Sequence, residues 1–286
     1  MENEYRIVAE NLNLVYRIRR AKKDPNPRSL HALKDISLNV RSGEFLTVVG
    51  PSGCGKSTFL YILAGLIKKT SGNVRINGQE IKGPALDRGI VMQAYALFPW
   101  RTVLKNVEFG LEVKKLPKRE RKSIAREFIE LVGLSDFADR YPYELSGGMK
   151  QRIAIARALA YNPDVLLMDE PFAAVDEQTR GSLQAETLRI WEKTNKTIIF
   201  VTHSIEEAVY LSDRIVVMTS GPGKIRGIVD VALPRPRDEA IKNTKEFASY
   251  RNKVWTLLQT PCERTEKVER IFDYTELVSR PQDNAI

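Results

Sequence analysis

The 286-residue sequence predicts an α/β fold in which a mostly parallel β-sheet carries an inserted helical subdomain. Short apolar runs of strand length alternate with segments of helical periodicity, which is typical of parallel sheets whose strands are joined by helices. Residues 44–49 and 165–168 are rich in apolar and β-branched side chains, as in strands buried on both faces. From residue 94 to about residue 161 helical periodicity replaces the strand pattern, and this interruption predicts the insertion.

Strands and helices are expected in a regular order along the chain. Strands are predicted over residues 6–16, 35–40, 44–49, 73–76, 89–92, 165–168, 197–201 and 214–218. A helix is predicted over about 56–68, and two more near 178–193 and 204–211. The inner side of the first helix is expected to carry Phe59, Leu60, Ile62, Leu63 and Leu66. A basic stretch with two prolines at 17–28 predicts an exposed loop.

Pro234 and Pro236 divide the chain into a main domain over residues 1–235, with its helical subdomain at about 94–161, and a C-terminal tail over 236–286. A tail of about fifty residues is short for an independent domain. We expect it to pack as one or two helices, because apolar residues recur at helical spacing at Phe247, Tyr250, Val254, Leu257 and Leu258.

The composition excludes several classes of protein. Only two cysteines occur, and Cys54 lies in a glycine-rich loop, so neither a structural disulfide nor a thiolate zinc site is expected. The apolar runs are far shorter than the roughly 20 residues of a spanning helix, and residues 1–11 lack the apolar core of a signal peptide. We therefore expect a cytoplasmic protein. The formal net charge of +9 suits a polyanionic ligand, an anionic membrane surface or nucleic acid.

A phosphate-binding loop is predicted directly after the strand at 44–49, where the sequence fits the pattern G-x-x-x-x-G-K-[ST] ahead of a helix. Backbone N–H groups of such a loop surround phosphate oxygens, and the helix dipole assists them. Lys56 can reach the β- and γ-phosphates, and the Ser57 hydroxyl is placed to bind Mg²⁺. The alternative is a glycine-rich turn with a solvent-facing lysine. We expect a purine nucleotide to contact Gly50, Pro51, Ser52, Gly53, Cys54, Gly55, Lys56, Ser57 and Thr58.

Two adjacent carboxylates follow the strand at 165–168. Asp169 and Glu170 are predicted to point in different directions, because side chains alternate along a strand. Asp169 can then hold Mg²⁺ through its water shell, while Glu170 can act as a base toward water that attacks the γ-phosphate. A base at this position favours hydrolysis over transfer to another substrate. The alternative is a pair of solvated acids at a strand end.

The segment Leu145-Ser-Gly-Gly-Met-Lys-Gln-Arg152 resembles the Leu-Ser-Gly-Gly-Gln signature of the ABC ATPase family, and the resemblance covers about residues 5–235. It implies a P-loop NTPase core with an antiparallel β subdomain beside the mostly parallel sheet. It also implies that Ser146, Gly147 and Gly148 bind the γ-phosphate of ATP held by a second subunit, so that two chains form a head-to-tail dimer with two composite sites. Seen alone, Ser146 would be a plain helix N-cap.

Further site residues are implied by the same resemblance. Gln93 matches the glutamine that contacts the metal and the attacking water, and His203 matches the histidine at the γ-phosphate. Asp176 matches the aspartate that communicates across the dimer, and Tyr16 matches the aromatic that stacks on adenine. His31 is expected to be an ordinary surface residue. The implied catalytic set is Glu170, His203, Gln93 and Lys56, and the implied Mg²⁺ set is Ser57, Gln93 and Asp169.

Three positions depart from the family pattern. Met149 stands in place of the signature's glutamine, which removes a polar side chain but leaves both glycine amides. Ala-Ala-Val-Asp176 replaces the usual Ser-Ala-Leu-Asp and keeps the aspartate. The loop after Tyr16 is longer and more basic than usual, and it leaves the details of the adenine pocket open.

The segments at 98–107, 169–180 and 233–238 resemble the nitrate/sulfonate/taurine (bicarbonate) importer group. Such ATPases work in pairs on separate integral-membrane permeases at the inner face of the cell membrane, and indirectly with an extracytoplasmic solute-binding protein. A small anionic solute is the expected cargo. Phe98, Pro99 and Trp100 would border the groove that receives the permease; the alternative is that Trp100 packs inside the helical subdomain.

The main alternative function is that of a non-transport ABC ATPase that acts on nucleic acid or as a regulator. Members that act in repair or chromosome organisation interrupt the helical region with long coiled coils or zinc modules, and translation-type members carry two cassettes. Here the stretch between Gln93 and Leu145 is short and holds neither heptads nor cysteine pairs. We therefore expect no nucleic-acid partner.

Overall fold

The computed structural model describes residues 4–18, 28–173 and 175–259. The strands are β1 Tyr5–Ile18, β2 Arg28–Arg41, β3 Phe45–Val49, β4 Ser71–Ile76, β5 Gln79–Glu80, β6 Arg88–Val91, β7 Val165–Asp169, β8 Thr197–Thr202, β9 Arg214–Met218 and β10 Ile225–Asp230. The α-helices are α1 Lys56–Leu63, α2 Val103–Val113, α3 Lys118–Leu131, α4 Gly147–Ala160, α5 Glu177–Thr194, α6 Ile205–Leu211 and α7 Lys245–Gln259.

The central sheet has six strands in the order β10-β9-β3-β8-β7-β6. All neighbouring pairs are parallel except β9 and β10, which are antiparallel at one edge. Side chains of β3 alternate between two cores: Phe45 and Val49 face one, while Leu46 and Val48 face the other. The sheet is therefore covered on both faces, which explains the apolar character of its strands and confirms the predicted mostly parallel sheet.

A second sheet is antiparallel, with the order β2-β1-β4-β5, and confirms the β subdomain that the family resemblance implied. Its inner face, which includes Ile7, Leu12 and Val74, shares a core with α1 and with one face of the central sheet. This shared core places β2 beside the segment that joins β3 to α1, where the phosphate-binding loop is expected.

The helical insertion contains α2, α3 and α4 together with two short 3-10 helices, Ser135–Phe137 and Pro142–Glu144. Tyr161, directly after α4, connects this unit to the sheet because its hydroxyl donates to the Arg88 carbonyl of β6 at 3.1 Å. The Tyr161 backbone carbonyl also accepts from Lys114 Nζ at the end of α2. The insertion is thus tied to the sheet at the end of its last helix.

The first helix ends earlier than the sequence predicts, at Leu63 instead of about residue 68. Gly65 follows in a left-handed conformation with φ of 77°, and a Cβ at this position would overlap the Gly83 carbonyl. The chain therefore turns away at a point that only glycine fits. Leu66 consequently lies 48% exposed, so its predicted place on the inner side of the helix is wrong.

Helix α7 packs against α6, β9 and β10 through the buried side chains of Phe247 and Val254, as expected for the start of the C-terminal tail. Residues 260–286 and most of the basic loop predicted at 17–28 lie outside the described residues. Within the described ranges, no helix combines the length and the apolar character that crossing a bilayer requires. The domain boundary near residue 235 stays a prediction.

Gly110 in α2 offers a test of how the insertion packs, because a Cβ at this position would overlap the Tyr161 ring. We expect Gly110→Ala to lower the free energy of unfolding by about 1 to 2 kcal/mol, since overpacking outweighs the gain of about 1 kcal/mol in helix propensity. Urea unfolding at equilibrium measures the change.

Gly181→Ala in α5 is the matched control. A Cβ at Gly181 would meet only the carboxylate end of Glu239, a side chain that is 65% exposed and can move aside. This substitution should be neutral or stabilise by up to about 1 kcal/mol. A stabilising effect of Gly110→Ala would show that the contact with Tyr161 does not restrict this helix.

Candidate nucleotide site

The phosphate-binding loop connects the end of β3 to α1 and leaves its backbone little freedom. Gly53 and Gly55 have φ of 76° and 94°. A Cβ on Gly55 would lie 2.7 Å from Leu33 Cδ2 and one on Gly50 would lie 2.9 Å from the Met218 carbonyl oxygen. The loop is therefore held between β2 and the end of β9. Close approach requires glycine at Gly50 and Gly55, and the positive φ favours glycine at Gly53 and Gly55.

Lys56 is the first residue of α1, and its side chain turns back beneath the loop. It is only 6% exposed, and Nζ donates to the carbonyl oxygens of Gly50 at 2.9 Å and Pro51 at 3.1 Å. Burial raises the pKa of the neighbouring Cys54 thiol, which keeps the thiol neutral beside the ammonium group. No acidic residue occupies the first turn of α1. The helix dipole and Lys56 together make this loop favourable for an anion.

Ser57 and Asp169 form a compact set of oxygen ligands across from the loop. Ser57 Oγ donates to Asp169 Oδ1 at 2.8 Å, and Asp169 is 3% exposed at the end of β7. Burial raises the Asp169 pKa, against the opposing effect of hydrogen bonds from Ser57 and Tyr61. A buried carboxylate beside a hydroxyl fits Mg²⁺, which prefers oxygen and takes few ligands from the protein. Among the described residues, no group of three or more acidic, histidine or cysteine side chains forms a fuller metal cage.

Glu170 and His203 lie side by side beyond the ends of β7 and β8. Glu170 Oε2 is 3.1 Å from His203 Nδ1, and the Glu170 backbone N–H donates to the Val201 carbonyl at 2.9 Å. Glu170 has φ of 42°, so it has already left the strand conformation. The two carboxylates point in different directions as predicted, but the reason given from strand alternation is wrong. The left-handed turn at Glu170 directs its side chain to His203, while Asp169 faces Ser57.

Ser146 caps α4, as its oxygen accepts a hydrogen bond from the Met149 backbone N–H at 3.3 Å. Gly147 and Gly148 form the first turn, which holds no acidic residue. A Cβ on Gly148 would lie 2.7 Å from Thr179 Cγ2, so α4 and α5 meet closely here. The N-cap interpretation of Ser146 is confirmed, and its role toward a partner's phosphate stays a prediction.

The remaining predicted site residues occupy three other places. Gln93 is exposed two residues after β6, at the same end of the sheet as Asp169, because β6 and β7 are parallel neighbours. Asp176 is exposed and caps α5, and the hydrogen bond from the Thr179 N–H at 2.9 Å holds its pKa below the ordinary value. Tyr16 lies partly buried in β1, and His31 is exposed as expected. The roles proposed for Gln93, Asp176 and Tyr16 stay predictions.

Tyr61 is a site residue that the sequence reasoning missed. Its hydroxyl hydrogen-bonds Asp169 and favours the ionised carboxylate. Tyr61 lies four residues after Ser57 in α1, and residues at this spacing share one face of a helix. That periodicity was a usable signal, whereas the contact with β7 depends on tertiary packing.

Similarity to known proteins agrees with this geometry. A family model described as ABC transporter matches residues 33–173. An uncharacterised ABC transporter ATP-binding protein of Methanocaldococcus jannaschii is 55% identical over 254 residues, which are 89% of this chain and 91% of that protein. A nitrate import ATP-binding protein of a Synechocystis species is 45% identical over 249 residues, which are 85% of this chain and 93% of that protein.

A solved structure gives the same result for the fold. It is the dimeric post-hydrolysis state of an ATP-binding cassette bound to ADP and inorganic phosphate. The TM-score is 0.68 at 33% identity, and the match covers 80% of this chain and all of that chain. The fold similarity extends through most of the elements that carry the candidate site.

The buried Asp169 makes the pH dependence of stability testable. Folding raises the pKa of Asp169, so the protonated side chain contributes favourably to the free energy of unfolding. This contribution is complete at pH values below the pKa of Asp169 in the unfolded chain, and it is lost as the pH rises through the pKa of Asp169 in the folded chain. We expect Asp169→Asn, in metal-free and nucleotide-free buffer, to raise the urea midpoint at about pH 7 and to raise it less as the pH falls toward about 4, near the pKa of an unfolded aspartate. A difference that is constant with pH, or larger at low pH, would contradict this account of Asp169.

Proposed function

The chain belongs to the ABC transporter family and is an ATP-binding ATPase, and from this premise we propose that it is the motor subunit of an importer. The proposal places two copies of the chain on separate permease subunits at the inner face of the membrane, with a small anionic solute as cargo. The observation that supports ATP hydrolysis is the contact between Glu170 and His203, which lies beside the contact between Ser57 and Asp169. The relative that imports nitrate supports the direction of transport and the class of solute.

Hydrolysis is assigned to Glu170, with His203 fixing its orientation. An ionised carboxylate only accepts hydrogen bonds, so the proton between the two side chains belongs to His203 Nδ1. Glu170 keeps its second oxygen for a water molecule, which it orients or deprotonates. His203 Nε2 is then the ring atom left for a phosphate oxygen.

The phosphates of ATP are assigned to the loop that contains Lys56, with Ser57, Asp169 and Gln93 as the residues that would hold Mg²⁺. Mg²⁺ bound there would neutralise phosphate charge during hydrolysis. Lys56 is positioned for the same purpose, since its ammonium group lies within the curve of the loop. The hydrogen bond from Tyr61 orients Asp169 and opposes the effect of burial, which raises the Asp169 pKa.

Completion of the site is assigned to a second copy of the chain. Ser146 is exposed at the start of α4, and the free N–H groups of this first turn can meet a phosphate from outside the subunit. The similar cassette of known structure is a dimer bound to ADP and inorganic phosphate. In the proposed cycle, closure of the dimer completes each site, and phosphate release allows it to reopen.

Permease docking is assigned to an aromatic surface formed by Phe98, Trp100 and Phe109. Trp100 is 72% exposed, so the alternative that it packs inside the helical subdomain is wrong. The ring centroid of Phe98 lies 5.7 Å from the ring centroid of Trp100 and 4.8 Å from that of Phe109. An exposed aromatic cluster of this kind is typical of a surface that binds a protein partner.

Asn106 gives this surface a fixed shape. It is fully buried, and its Oδ1 accepts from the Phe98 N–H at 2.8 Å. Its Nδ2 lies within 3.2 Å of the carbonyl oxygens of Phe98, Arg101 and Thr102. The Asn106 side chain therefore fixes the backbone of the loop that contains Trp100.

Glu170→Gln tests the catalytic assignment. We expect at least about a 100-fold loss of ATP turnover, because the base is removed while nucleotide contacts remain. The variant should still bind ATP and should accumulate as an ATP-bound dimer, measured by phosphate release and by size-exclusion chromatography with ATP. Lys56→Ala should instead weaken nucleotide binding. Full turnover in Glu170→Gln would remove Glu170 from this role.

Trp100→Ala tests the docking assignment, with Trp255→Ala on α7 as a matched exposed tryptophan elsewhere. We expect Trp100→Ala to weaken binding to inverted membrane vesicles from the source organism by at least about 10-fold, as for a buried interface anchor. Trp255→Ala should bind as the parent does, and protease treatment of the vesicles should abolish binding. Equal binding by both variants would exclude this surface as the docking site.

A further inference from the structure

Glu207 is a buried acidic residue in the first turn of α6 that no step of the proposed cycle uses. It is 7% exposed, although glutamate is rarely buried unless it is paired. The Glu207 backbone N–H donates to Ser204 Oγ at 3.3 Å. This hydrogen bond joins Glu207 to the turn that carries His203. Burial raises the Glu207 pKa, and the Thr202 hydroxyl and the Arg180 and His203 charges oppose that shift.

Both carboxylate oxygens of Glu207 accept hydrogen bonds from neighbouring side chains. Thr202 Oγ1 donates to Oε2 at 2.5 Å, and the same hydroxyl oxygen accepts from the Ser204 N–H at 3.0 Å. Gln184 Nε2 donates to Oε1 at 3.4 Å, while Gln184 Oε1 accepts from Lys242. Lys242 fixes the orientation of the Gln184 amide, so the Gln184 NH2 group faces Glu207 and matches an acceptor oxygen there.

The same carboxylate reaches the loop that precedes α5. Arg180 Nε lies 4.0 Å from Glu207 Oε1, and the Arg180 guanidinium donates to the Val175 carbonyl at 3.0 Å. Val175 is followed directly by Asp176, the N-cap of α5. A continuous set of polar contacts thus runs from the Asp176 loop through Arg180 and Glu207 to Thr202, next to His203.

We propose that Glu207 is a positioning residue that couples the turn holding His203 to the loop holding Asp176 within one subunit. The proposal rests on the role assigned above to His203 and on the role across the dimer that the family resemblance implies for Asp176. With Asp176 at the dimer interface, closure of the dimer moves the loop that carries Asp176, and Glu207 transmits this movement to the Glu170–His203 pair. Hydrolysis is thereby made dependent on closure by contacts inside the subunit as well as by the partner's own residues.

Glu207→Gln is the direct test, because it keeps the size of the side chain but removes the charge and replaces one of the two acceptor oxygens with a donor. We expect kcat for ATP to fall by about 10-fold or more while the dissociation constant for ATP changes by less than about 2-fold. The variant should also accumulate the ATP-bound dimer, since closure is retained and hydrolysis is slowed. Glu206→Gln is the matched control, because Glu206 is adjacent, exposed and paired only with Arg251 at 3.7 Å.

Two further comparisons separate positioning from a merely structural effect. Thr202→Val removes the hydroxyl between Glu207 and Ser204 and should lower kcat in the same way, whereas Thr202→Ser retains the hydroxyl and should retain turnover. Arg180→Met combined with Glu207→Gln should lower kcat by less than the product of the two single effects, as for residues of one network. The threonine pair decides the matter if Glu207→Gln fails to fold.

Wild-type kcat in Glu207→Gln, a matching loss in Glu206→Gln, or equal turnover in the two threonine variants would overturn the proposal. A loss of ATP affinity as large as the loss of kcat would overturn it as well. Failure of the proposed function is distinguishable, because Glu170→Gln would then form no ATP-dependent dimer. If Glu170→Gln forms that dimer and Glu207→Gln turns over as the parent does, only the role of Glu207 is excluded.

Discussion

β7 and β8 pair in parallel with Asp169 opposite Val201, and this register places every group of the candidate site at one level of the sheet. The chain leaves both strands at the same edge, so Glu170 meets His203 while Asp169 remains within reach of Ser57 in α1. A shift of one residue between β7 and β8 would move the two strand ends relative to each other and would separate Glu170 from His203. The apolar cores on both faces of the sheet maintain this register.

The phosphate-binding loop shows that the antiparallel sheet also shapes the site. Leu33 of β2 approaches Gly55 so closely that no side chain fits, and the end of β9 restricts Gly50 in the same way. Leu33 and Met218 belong to the same core, which lies between the antiparallel sheet and one face of the central sheet. The curvature that exposes the loop's N–H groups results from packing between the two sheets as well as from the freedom of glycine.

The sequence predicted those parts of the site that depend on local chain geometry. The phosphate-binding loop, the acidic pair and the cap at Ser146 each consist of consecutive residues whose pattern requires a particular turn or helix start. It did not predict the left-handed Glu170, the early end of α1 or the contact of Tyr61 with Asp169. Glu207 was missed for the same reason, because its partners lie on α5 and β8 and only the fold brings them together.

The loop closed by Asn106 has a consequence for association with a partner. The side-chain amide of Asn106 holds the loop backbone through both of its ends, because Oδ1 accepts from one N–H and Nδ2 faces three carbonyl oxygens. The loop therefore has little conformational entropy left to lose when a second surface covers it. Binding that begins from a preorganised loop is slowed mainly by orientation and not by folding of the contact region. The same rigidity limits which partner shapes can be accepted, so this loop favours selectivity over adaptability.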